Sequence, residues 1–528
     1  MSKQSIVVCD HINQKGLDIL SAQDNIEYIN LAHLEKKTLL KEIANADVVI
    51  TRSSTDVDVE FLESATNLKS IVRAGVGVDN VDINSCSKSG IIVMNVPTAN
   101  TIAAVELTMT HILSAMRKFP FSHDQLKNQR IWKREDWYGK ELKDKKIGII
   151  GFGNIGSRVG IRAKAFEMNV VTYDPYISAS KATDLGVEYT SNFDDILDCD
   201  IITIHTPKNS ETLDMINHNE ISKLKDGAIL INCARGGLYN EDALYDGLKS
   251  GKISIAGIDV FNKEPAIDNR LLDLDNIIVS AHLGANTVES QEKIAIQAAE
   301  NAISAARGIS YPNALNLPIK ESEIPKFVKP YLELVQKISF LAAQINRSEI
   351  KSITIQADGE IANYLKSFKT FAAVGALTKI MGEKINYVNA LFVSNERNIN
   401  IETIELKNTS PYKNKVSVKL TTEKDTITIA GTVFEDSVQK ILDINGFDVD
   451  IEPKGKMILY RNSDIPGVIG EVGTLLAKHN INISDFRLGR NRNKEALAVI
   501  LVDDNISHET LKELENLEAS LQVSYAVI

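Results

Sequence analysis

Lys146-Ile-Gly-Ile-Ile-Gly-Phe-Gly-Asn-Ile-Gly156 is the stretch that decides the fold of this 528-residue chain. An apolar run, predicted as a buried strand, leads directly into the glycines of a G-x-G-x-x-G motif, and a helical pattern follows. The first glycine permits a tight turn, the second lets the backbone approach a pyrophosphate, and the third lets helix and strand pack closely. A structural turn that binds no phosphate is the alternative, but strand, glycines, helix and second strand in this order favour a dinucleotide-binding fold.

Asp174 closes the next apolar run, Val170-Val-Thr-Tyr-Asp174, and predicts which dinucleotide binds. A carboxylate at this place accepts hydrogen bonds from the adenosine ribose hydroxyls and repels a 2′-phosphate. Its neighbours Pro175 and Tyr176 supply no cation that would offset the repulsion. We therefore predict NAD rather than NADP. The residues expected to bind it here are Gly151, Gly153, Asn154, Ile155, Gly156 and Asp174.

The composition of the chain excludes several classes of protein. The net charge is −11, which argues against a general nucleic-acid binder because phosphate backbones need clustered Lys and Arg. Hydrophobic residues make up 44% of the chain, but no apolar run approaches the ~18 residues that span a bilayer. The four cysteines fit neither a disulfide framework nor a metal-ligand spacing, and the N-terminus lacks the layout of a signal peptide. We expect a cytoplasmic protein with neither nucleic acid nor membrane as a partner.

The 145 residues before the glycine motif carry an α/β pattern of their own. Short β-branched runs alternate with helical stretches over residues 1–98, and the alternation restarts at Lys146 with six predicted strands. A helix rich in Ala and Gln, at roughly 288–307, has no strand to serve in the second sheet, so we expect the chain to return there to the first domain. The predicted fold is two doubly wound parallel-sheet domains, with the cofactor domain inserted into a flavodoxin-like substrate domain.

Two further modules are predicted after a proline-rich connection. Residues 330–452 mix helices with alternating strands and read as an α+β module without a catalytic constellation. The remaining C-terminal stretch has a self-contained, ferredoxin-like β-α-β-β-α-β pattern. The predicted bounds are 1–98 plus 286–316 for the substrate-binding domain, 99–285 for the NAD-binding domain, 317–453 for the intervening module and 456–528 for the last domain.

Three polar residues follow three successive strands of the predicted nucleotide-binding sheet: Arg235, Glu264 and His282. The carboxyl ends of such strands border the crevice where open α/β sheets bind ligands. A guanidinium there can pair bidentately with a carboxylate, and a histidine oriented by a nearby carboxylate is a natural general acid/base. Each of the three residues alone also fits a structural role. Three side chains at the carboxyl ends of neighbouring strands, however, can converge on a single substrate.

This set resembles the D-2-hydroxyacid dehydrogenase family, in which an Arg, a Glu and a His act on a bound hydroxy acid. The resemblance implies that Arg235 binds the substrate carboxylate and polarises the reacting oxygen. It implies that His282 takes the hydroxyl proton, that Glu264 holds His282 in its working protonation state, and that hydride passes between the substrate C2 and the nicotinamide. It also implies further NAD contacts from the rim, at Thr206, Pro207, Cys233, Ala234, Arg235, Asp259, His282, Gly284 and Ala285.

The similarity narrows to the branch of the family that acts on 3-phosphoglycerate. It is carried by Val49-Ile-Thr-Arg-Ser-Ser54, Arg73-Ala-Gly-Val-Gly-Val-Asp-Asn-Val-Asp82 and Asn95-Val-Pro-Thr-Ala-Asn100. A substrate phosphate requires a cation, and Arg52 is the candidate, with Ser53 and Asn100 as hydrogen-bonding neighbours.

Two further parts of the substrate site are implied. The backbone N–H groups of Gly75, Val76 and Gly77 are expected to bind the substrate carboxylate. Some relatives have Thr where Val76 stands, so a side-chain hydroxyl is absent at that position. Arg134, in Trp132-Lys-Arg134, is expected to reach the cleft of a neighbouring subunit, which implies a homodimer or a homotetramer; a solvated charged turn is the alternative.

The last domain resembles an ACT domain, a small regulatory fold that binds amino acids. Asp464-Ile-Pro-Gly467 places N–H groups at a helix start, suited to the carboxylate of an effector. Asn462 and Asn482 match family positions whose amides contact serine across a paired sheet. We predict serine as the effector, with Asn462, Asp464, Gly467 and Asn482 as its ligands.

Two other functions are compatible with parts of the pattern. Another 2-hydroxyacid dehydrogenase, such as a glyoxylate or hydroxypyruvate reductase, shares the catalytic set but needs neither Arg52 nor a sensor domain. A non-catalytic NAD sensor shares the fold, but it has no need of Arg235, Glu264 and His282 together.

Overall fold

The computed structural model describes residues 3–319, 324–346, 348–407, 411–435, 437–491 and 493–528, and part of the proline-rich connection lies outside them. Four sheets follow one another along the chain. Within the described ranges, no helix has both the length and the apolar character that a membrane span requires.

The first sheet has five parallel strands in the order β2-β1-β3-β4-β5, the flavodoxin-like order predicted for the substrate domain. Its strands are β1 Gln4–Val8, β2 Ile26–Asn30, β3 Val48–Thr51, β4 Ser70–Arg73 and β5 Ile92–Met94, and its helices are α1 Gln14–Ser21, α2 Lys36–Glu42, α3 Val59–Ser64 and α4 Ile83–Lys88. Strand β2 is absent from the sequence prediction, because it lies at the sheet edge and only Ile26 is buried.

The second sheet is also parallel, with seven strands in the order β12-β11-β10-β9-β6-β7-β8. The strands are β6 Lys146–Ile150, β7 Asn169–Tyr173, β8 Glu188–Thr190, β9 Ile201–Ile204, β10 Ala228–Asn232, β11 Ile253–Ile258 and β12 Ile277–Val279. The helices are α5 Thr101–Arg117, α6 Phe119–Lys127, α7 Gly156–Ala165, α8 Ala179–Thr183, α9 Asp194–Leu197, α10 His218–Lys223 and α11 Glu241–Lys249. The prediction contains six of these strands; it lacks β8, which is a three-residue edge strand too short to show a pattern.

The chain then returns to the first sheet. Helix α12, Val288–Ala306, packs against α1, β1, β3 and β4. A stripe of buried alanines permits this close approach, and a side chain at Gly16 of α1 would lie 2.6 Å from the carbonyl oxygen of Ala295. The two chain crossings between the sheets are neighbours, since Ser290 Oγ donates to the carbonyl of Ala99 at 3.4 Å. This packing supports the proposed insertion of the cofactor domain.

The intervening module is built on a six-stranded mixed sheet in the order β14-β13-β15-β16-β17-β18. Its strands are β13 Ile350–Asp358, β14 Asn400–Leu406, β15 Lys415–Thr422, β16 Thr426–Phe434, β17 Val438–Ile444 and β18 Phe447–Ile451, and its helices are α13 Lys329–Ile345, α14 Leu365–Met381 and α15 Ala390–Glu396. Helices α13 and α14 touch at Gly375, where a Cβ atom would lie 2.2 Å from the carbonyl oxygen of Gln336.

The last domain is a four-stranded antiparallel sheet in the order β20-β21-β19-β22, with the β-α-β-β-α-β connection that the sequence predicts. Its elements are β19 Lys456–Ser463, α16 Val468–Lys478, β20 Ile483–Arg490, β21 Glu495–Val502, α17 His508–Glu515 and β22 Ser520–Val527. One face of this sheet, with Met457, Leu459, Leu497 and Val499, belongs to the same apolar core as α13 and β13 of the intervening module. The intervening module and the last domain therefore share a continuous core.

Candidate active site

The glycine turn after β6 has the shape that a pyrophosphate needs. Gly151 has a φ of +85°, and a Cβ atom on Gly156 would lie 2.0 Å from the carbonyl oxygen of Gly151. Apart from Gly153 and its two chain neighbours, no atom of the described residues lies within 4 Å of the position a Cβ would take on Gly153, so the space above the turn is open. Asn154 and Ile155 complete the turn, and α7 begins at Gly156. The start of a helix is suited to a phosphate because its first N–H groups lack partners within the helix.

Asp174 lies at the end of β7, beside this turn. Its two carboxylate oxygens accept hydrogen bonds from the N–H groups of Phe152, at 2.8 Å, and Tyr176, at 2.9 Å. These bonds fix the carboxylate in place, and each oxygen keeps a further lone pair for a ribose hydroxyl. The residues therefore fit NAD, the cofactor predicted from the sequence.

The remaining predicted NAD contacts lie on the same edge of the seven-stranded sheet. Each follows the carboxyl end of a strand: Thr206 and Pro207 after β9, Cys233, Ala234 and Arg235 after β10, Asp259 after β11, and His282, Gly284 and Ala285 after β12. Thr206 Oγ1 is buried without a hydrogen-bond partner among the described residues, as expected of a group that waits for a ligand. Burial raises the pKa of the Cys233 thiol, which makes that side chain inert packing.

His282, Glu264 and Arg235 converge at this edge, as the sequence predicts for three strand ends. His282 Nδ1 lies 2.7 Å from Glu264 Oε2, which leaves Nε2 free to face a substrate. The loops of Arg235 and Glu264 touch, because a Cβ atom on Gly236 would lie 1.9 Å from the carbonyl oxygen of Phe261. Burial alone would raise the pKa of Glu264, but hydrogen bonds from His282 and the N–H of Phe261, with the charge of Arg235, lower it overall. Glu264 is thus held as a carboxylate.

Three arginines form a cluster in the cleft, where Arg52 and Arg73 come from the first sheet and Arg235 comes from the second. Arg73, at the end of β4, feels the charges of both Arg52 and Arg235, and burial together with these cations lowers its pKa to about 10. Arg235 Nε is paired with Asp79 Oδ2 at 3.1 Å. Arg73 Nε is buried and has no hydrogen-bond partner among the described residues. Like charges stay together at a buried site when an anion compensates them, so this arginine cluster is suited to a multiply charged anion.

As a site residue, Arg73 is absent from the sequence prediction, which names Arg52, and Arg134 from a neighbouring subunit, as substrate-binding cations beside Arg235. A charged residue directly after the buried run Ser70-Ile-Val was the signal that could have identified it. Arg52 itself is anchored: its N–H donates to Asp10, and its Nη1 donates to the carbonyl of His11 at 3.0 Å. Ser53 follows it on the exposed surface.

The glycine-rich segment after β4 departs from the prediction in one respect. The N–H of Gly75 donates to the carbonyl of Arg73 at 2.8 Å, so it is already used and does not point to a ligand. No hydrogen bond among the described residues uses the N–H of Val76 or of Gly77, and Gly77 leaves space for Arg235, whose Nη2 would lie 2.2 Å from a Cβ there. Asn100 Oδ1 is buried and has no partner in the described part of the chain.

Arg134 is not brought into this cleft by its own chain. It lines a surface groove between α5 and α6 together with Arg117 and Trp137. Trp132 beside it is 77% exposed. A contribution from Arg134 to a cleft therefore requires a second subunit.

The predicted effector residues fall into two places. Asn462, Asp464 and Gly467 line a cavity of about 470 Å³ at the start of α16. Asn482 donates instead to Asp503 Oδ2 at 2.6 Å, beside the opposite end of the sheet. The strand register explains the separation, since Asn462 pairs with Ala496 whereas Ile483 pairs with Val502. One chain does not bring the two asparagines together.

Comparison with known proteins agrees with this geometry. Residues 109–284 match the model of the D-isomer specific 2-hydroxyacid dehydrogenase NAD binding domain, which makes the chain a D-2-hydroxyacid dehydrogenase with NAD as cofactor. Among solved structures, the D-lactate dehydrogenase of Aquifex aeolicus, complexed with NAD and lactic acid, is 29% identical with a TM-score of 0.52 and covers 58% of this chain and 96% of its own.

The C-terminal half narrows the family. Residues 327–445 match the D-3-phosphoglycerate dehydrogenase intervening domain and residues 456–519 match the ACT domain. The D-3-phosphoglycerate dehydrogenase of Archaeoglobus fulgidus is 36% identical over 98% of this chain and 99% of its own, and that of Bacillus subtilis is 37% identical over 97% of each. The chain belongs to the D-3-phosphoglycerate dehydrogenase family.

Proposed function

We propose that the chain oxidises 3-phospho-D-glycerate at C2 to 3-phosphooxypyruvate with NAD, the first step of the phosphorylated route to L-serine. The arginine cluster of Arg52, Arg73 and Arg235 is the observation that carries the proposal. A substrate with both a carboxylate and a phosphate presents two anionic groups to these three guanidinium groups, whereas a simple hydroxy acid presents only one. The similarity to full-length relatives with this activity supports the same substrate.

The proposed reaction removes a proton from the C2 hydroxyl and a hydride from C2. Bound NAD supplies the hydride acceptor, its nicotinamide ring. His282 is the proton acceptor: its Nδ1 is held by Glu264 at 2.7 Å, so the lone pair on Nε2 faces the hydroxyl. The proton on Nε2 then creates an imidazolium that the Glu264 carboxylate stabilises. Arg235 binds the substrate carboxylate and draws electron density from the developing carbonyl oxygen.

The substrate proposal is tested by kcat/KM for 3-phosphoglycerate and for D-glycerate. We expect 3-phosphoglycerate to be the better substrate, and Arg73→Gln to lower its kcat/KM by about 10- to 100-fold, the effect of one lost charge-assisted contact. The same substitution should change kcat/KM for D-glycerate little, because D-glycerate lacks the phosphate. Arg307→Gln, on the exposed C-terminus of α12, is the matched control. Preference of the wild-type enzyme for D-glycerate would instead favour a hydroxypyruvate reductase.

Serine is the proposed effector of the ACT domain, and the cavity beside α16 is its proposed site. The cavity wall offers the amide of Asn462, the carboxylate of Asp464 and the N–H groups that follow Gly467. Asn482 would join only from a second chain. Serine titrated during turnover should inhibit the wild type but not Asn462→Ala, with Asn516→Ala, at the end of α17, as a control. An unchanged rate at millimolar serine would retire this proposal.

The protein is further proposed to be a cytoplasmic homo-oligomer, either a dimer or a tetramer. Exposed apolar side chains are concentrated around α5 and α6, a segment that we call the 113–138 patch. Its members are Leu113, Phe119, Leu126, Ile131, Trp132 and Tyr138. An apolar patch of this kind marks a protein interface, and it lies next to Arg134. The four cysteines are all free, which agrees with a reducing compartment.

A further inference from the structure

His111 is a buried polar residue that the proposed reaction does not use. It lies in the apolar helix α5 and is 3% exposed. Its ring is seated against Gly257 of β11, where a Cβ atom would lie 2.9 Å from His111 Nδ1. The absence of a side chain at Gly257 therefore makes the room for an imidazole between the helix and the sheet.

The ring begins a chain of hydrogen bonds that ends at the loop of His282. His111 Nε2 lies 2.9 Å from Ser280 Oγ, and Ser280 Oγ donates to Asp259 Oδ1 at 2.6 Å. Because the serine proton is committed to the carboxylate, the contact with His111 requires Nε2–H as the donor. Burial lowers the pKa of His111, in agreement with a neutral ring that carries its one proton on Nε2.

Asp259 passes this constraint to the backbone of the loop. Its carboxylate accepts the N–H of Leu283 at 2.7 Å and of Gly284 at 2.9 Å, and its carbonyl accepts the N–H of His282 at 2.9 Å. Asp259 is fully buried. His282 has a φ of +54°, a left-handed conformation that a residue other than glycine keeps only where the surroundings hold it. The three hydrogen bonds that Asp259 accepts hold the backbone of His282, Leu283 and Gly284.

We propose that His111 and Ser280 are positioning residues for the reaction: through Asp259 they hold the loop 280–284 in the conformation that aims His282 Nε2 at the substrate. The inference rests on the proposed function only in that His282 acts there as the proton acceptor. The His111 ring contacts Gly257 and Ser280 rather than Arg235, Glu264 or His282, so its effect is expected on the geometry of proton transfer. A displacement of about 1 Å in such geometry lowers a rate by as much as about 10²-fold.

Four variants separate positioning from simple packing. His111→Leu and Ser280→Ala remove one link each, His111→Gln keeps an N–H near the place of Nε2, and His111→Leu with Ser280→Ala removes both. We expect each single loss to lower kcat by about 10-fold with an unchanged KM for 3-phosphoglycerate, the Gln variant to stay near wild type, and the double variant to be no slower than the slower single one, because the links act in series. The solvent isotope effect on kcat in D2O, which reports the transfer of the hydroxyl proton to His282, should be larger in the slow variants.

Amide hydrogen exchange of the peptide that contains Leu283 and Gly284, measured without substrate or NAD, gives a readout independent of turnover. It should be faster in His111→Leu and Ser280→Ala than in wild type and His111→Gln. Wild-type kcat and exchange in Ser280→Ala would overturn the proposal, and so would a His111→Gln variant as slow as His111→Leu. A wild-type enzyme inactive on 3-phosphoglycerate would overturn the proposed function alone, since the exchange experiment still tests the hydrogen-bond chain.

Discussion

His282 combines an unusual backbone conformation with a fixed ring. Its φ is +54°, and its hydrogen bond to Glu264 at 2.7 Å determines which ring nitrogen meets the substrate. Both side chains remain partly exposed, with 51% of His282 and 35% of Glu264 accessible. The pair is therefore preorganised but still open to a ligand that enters the cleft.

His282→Asn should lower kcat by at least about 10²-fold, because the proton acceptor is lost. Asparagine tolerates the left-handed conformation better than most residues, so the loop should keep its shape. Steady-state kinetics and the Kd for NAD, measured by fluorescence, check this together. The Kd is expected to stay within about twofold of wild type. A smaller loss in kcat would contradict the proposed role of His282.

Glu264 should also contribute to stability in a pH-dependent way. Its pKa in the folded protein lies below the ordinary value of 4.5, so its stabilising contribution is present above that value and is lost as the pH falls through the lowered pKa. The difference in free energy of unfolding between wild type and Glu264→Gln should therefore shrink as the pH falls from 6 to about 3. Urea unfolding at several pH values measures this difference in the free energy of unfolding. A difference that grows as the pH falls would contradict the expected direction.

At this scale, sequence reasoning finds residues whose strand ends fix their direction. Arg235, Glu264 and His282 follow consecutive neighbours in one sheet, so their convergence follows from the order of the strands. Arg73 also stands at a strand end and was overlooked although that signal was present. His111 was missed for a different reason: an imidazole within a helix reaches its partner through its rotamer and through a glycine such as Gly257, and neither can be read from local spacing.

The glycine turn before α7 makes one element both a structural joint and a binding surface. Gly153→Ala should leave the free energy of unfolding nearly unchanged, since no protein atom lies within 4 Å of the new Cβ, but it should weaken NAD binding by filling the pyrophosphate space. Gly156→Ala should both destabilise the protein by about 1–3 kcal/mol and abolish binding, because its Cβ would lie 2.0 Å from the carbonyl of Gly151.

Thermal unfolding and NAD titration of the two variants check this contrast. Equal loss of stability in both would show that the space above Gly153 is not open.

The elements themselves were largely predictable, because buried parallel strands such as β6 and β10 are continuous apolar runs. The edge strands β2 and β8 were not, since exposure at an edge removes the apolar pattern that reveals a strand.

Assembly is a property of the whole molecule that depends on contacts with a second chain. The 113–138 patch should be covered by a second copy, so Phe119→Arg, at a residue 63% exposed, should shift the oligomer toward smaller species by placing a charge in an apolar interface. Sedimentation velocity over a range of concentrations measures the shift. Ile267→Arg, at a residue 78% exposed outside the patch, is the control and should leave the mass unchanged.

The separation of Asn462 from Asn482 within one chain also concerns assembly. The sequence predicts Asn462 and Asn482 as residues of one effector site. Their proposed meeting would require the sheet of a second chain, and the periodicity of one chain carries no signal for that. The overall order of domains was more accessible, because the late glycine motif and the unpaired helix α12 both require the chain to leave the first sheet and return.

The two chain crossings between the sheets lie side by side, joined by the bond from Ser290 to Ala99 and by the bond from Asn301 to the carbonyl of Asn95. A domain joined to its neighbour by two adjacent connections has fewer possible movements than a domain joined by one. Rotation about the line through both connections strains them least. The two connections therefore favour rotation about this line over other relative movements of the two domains.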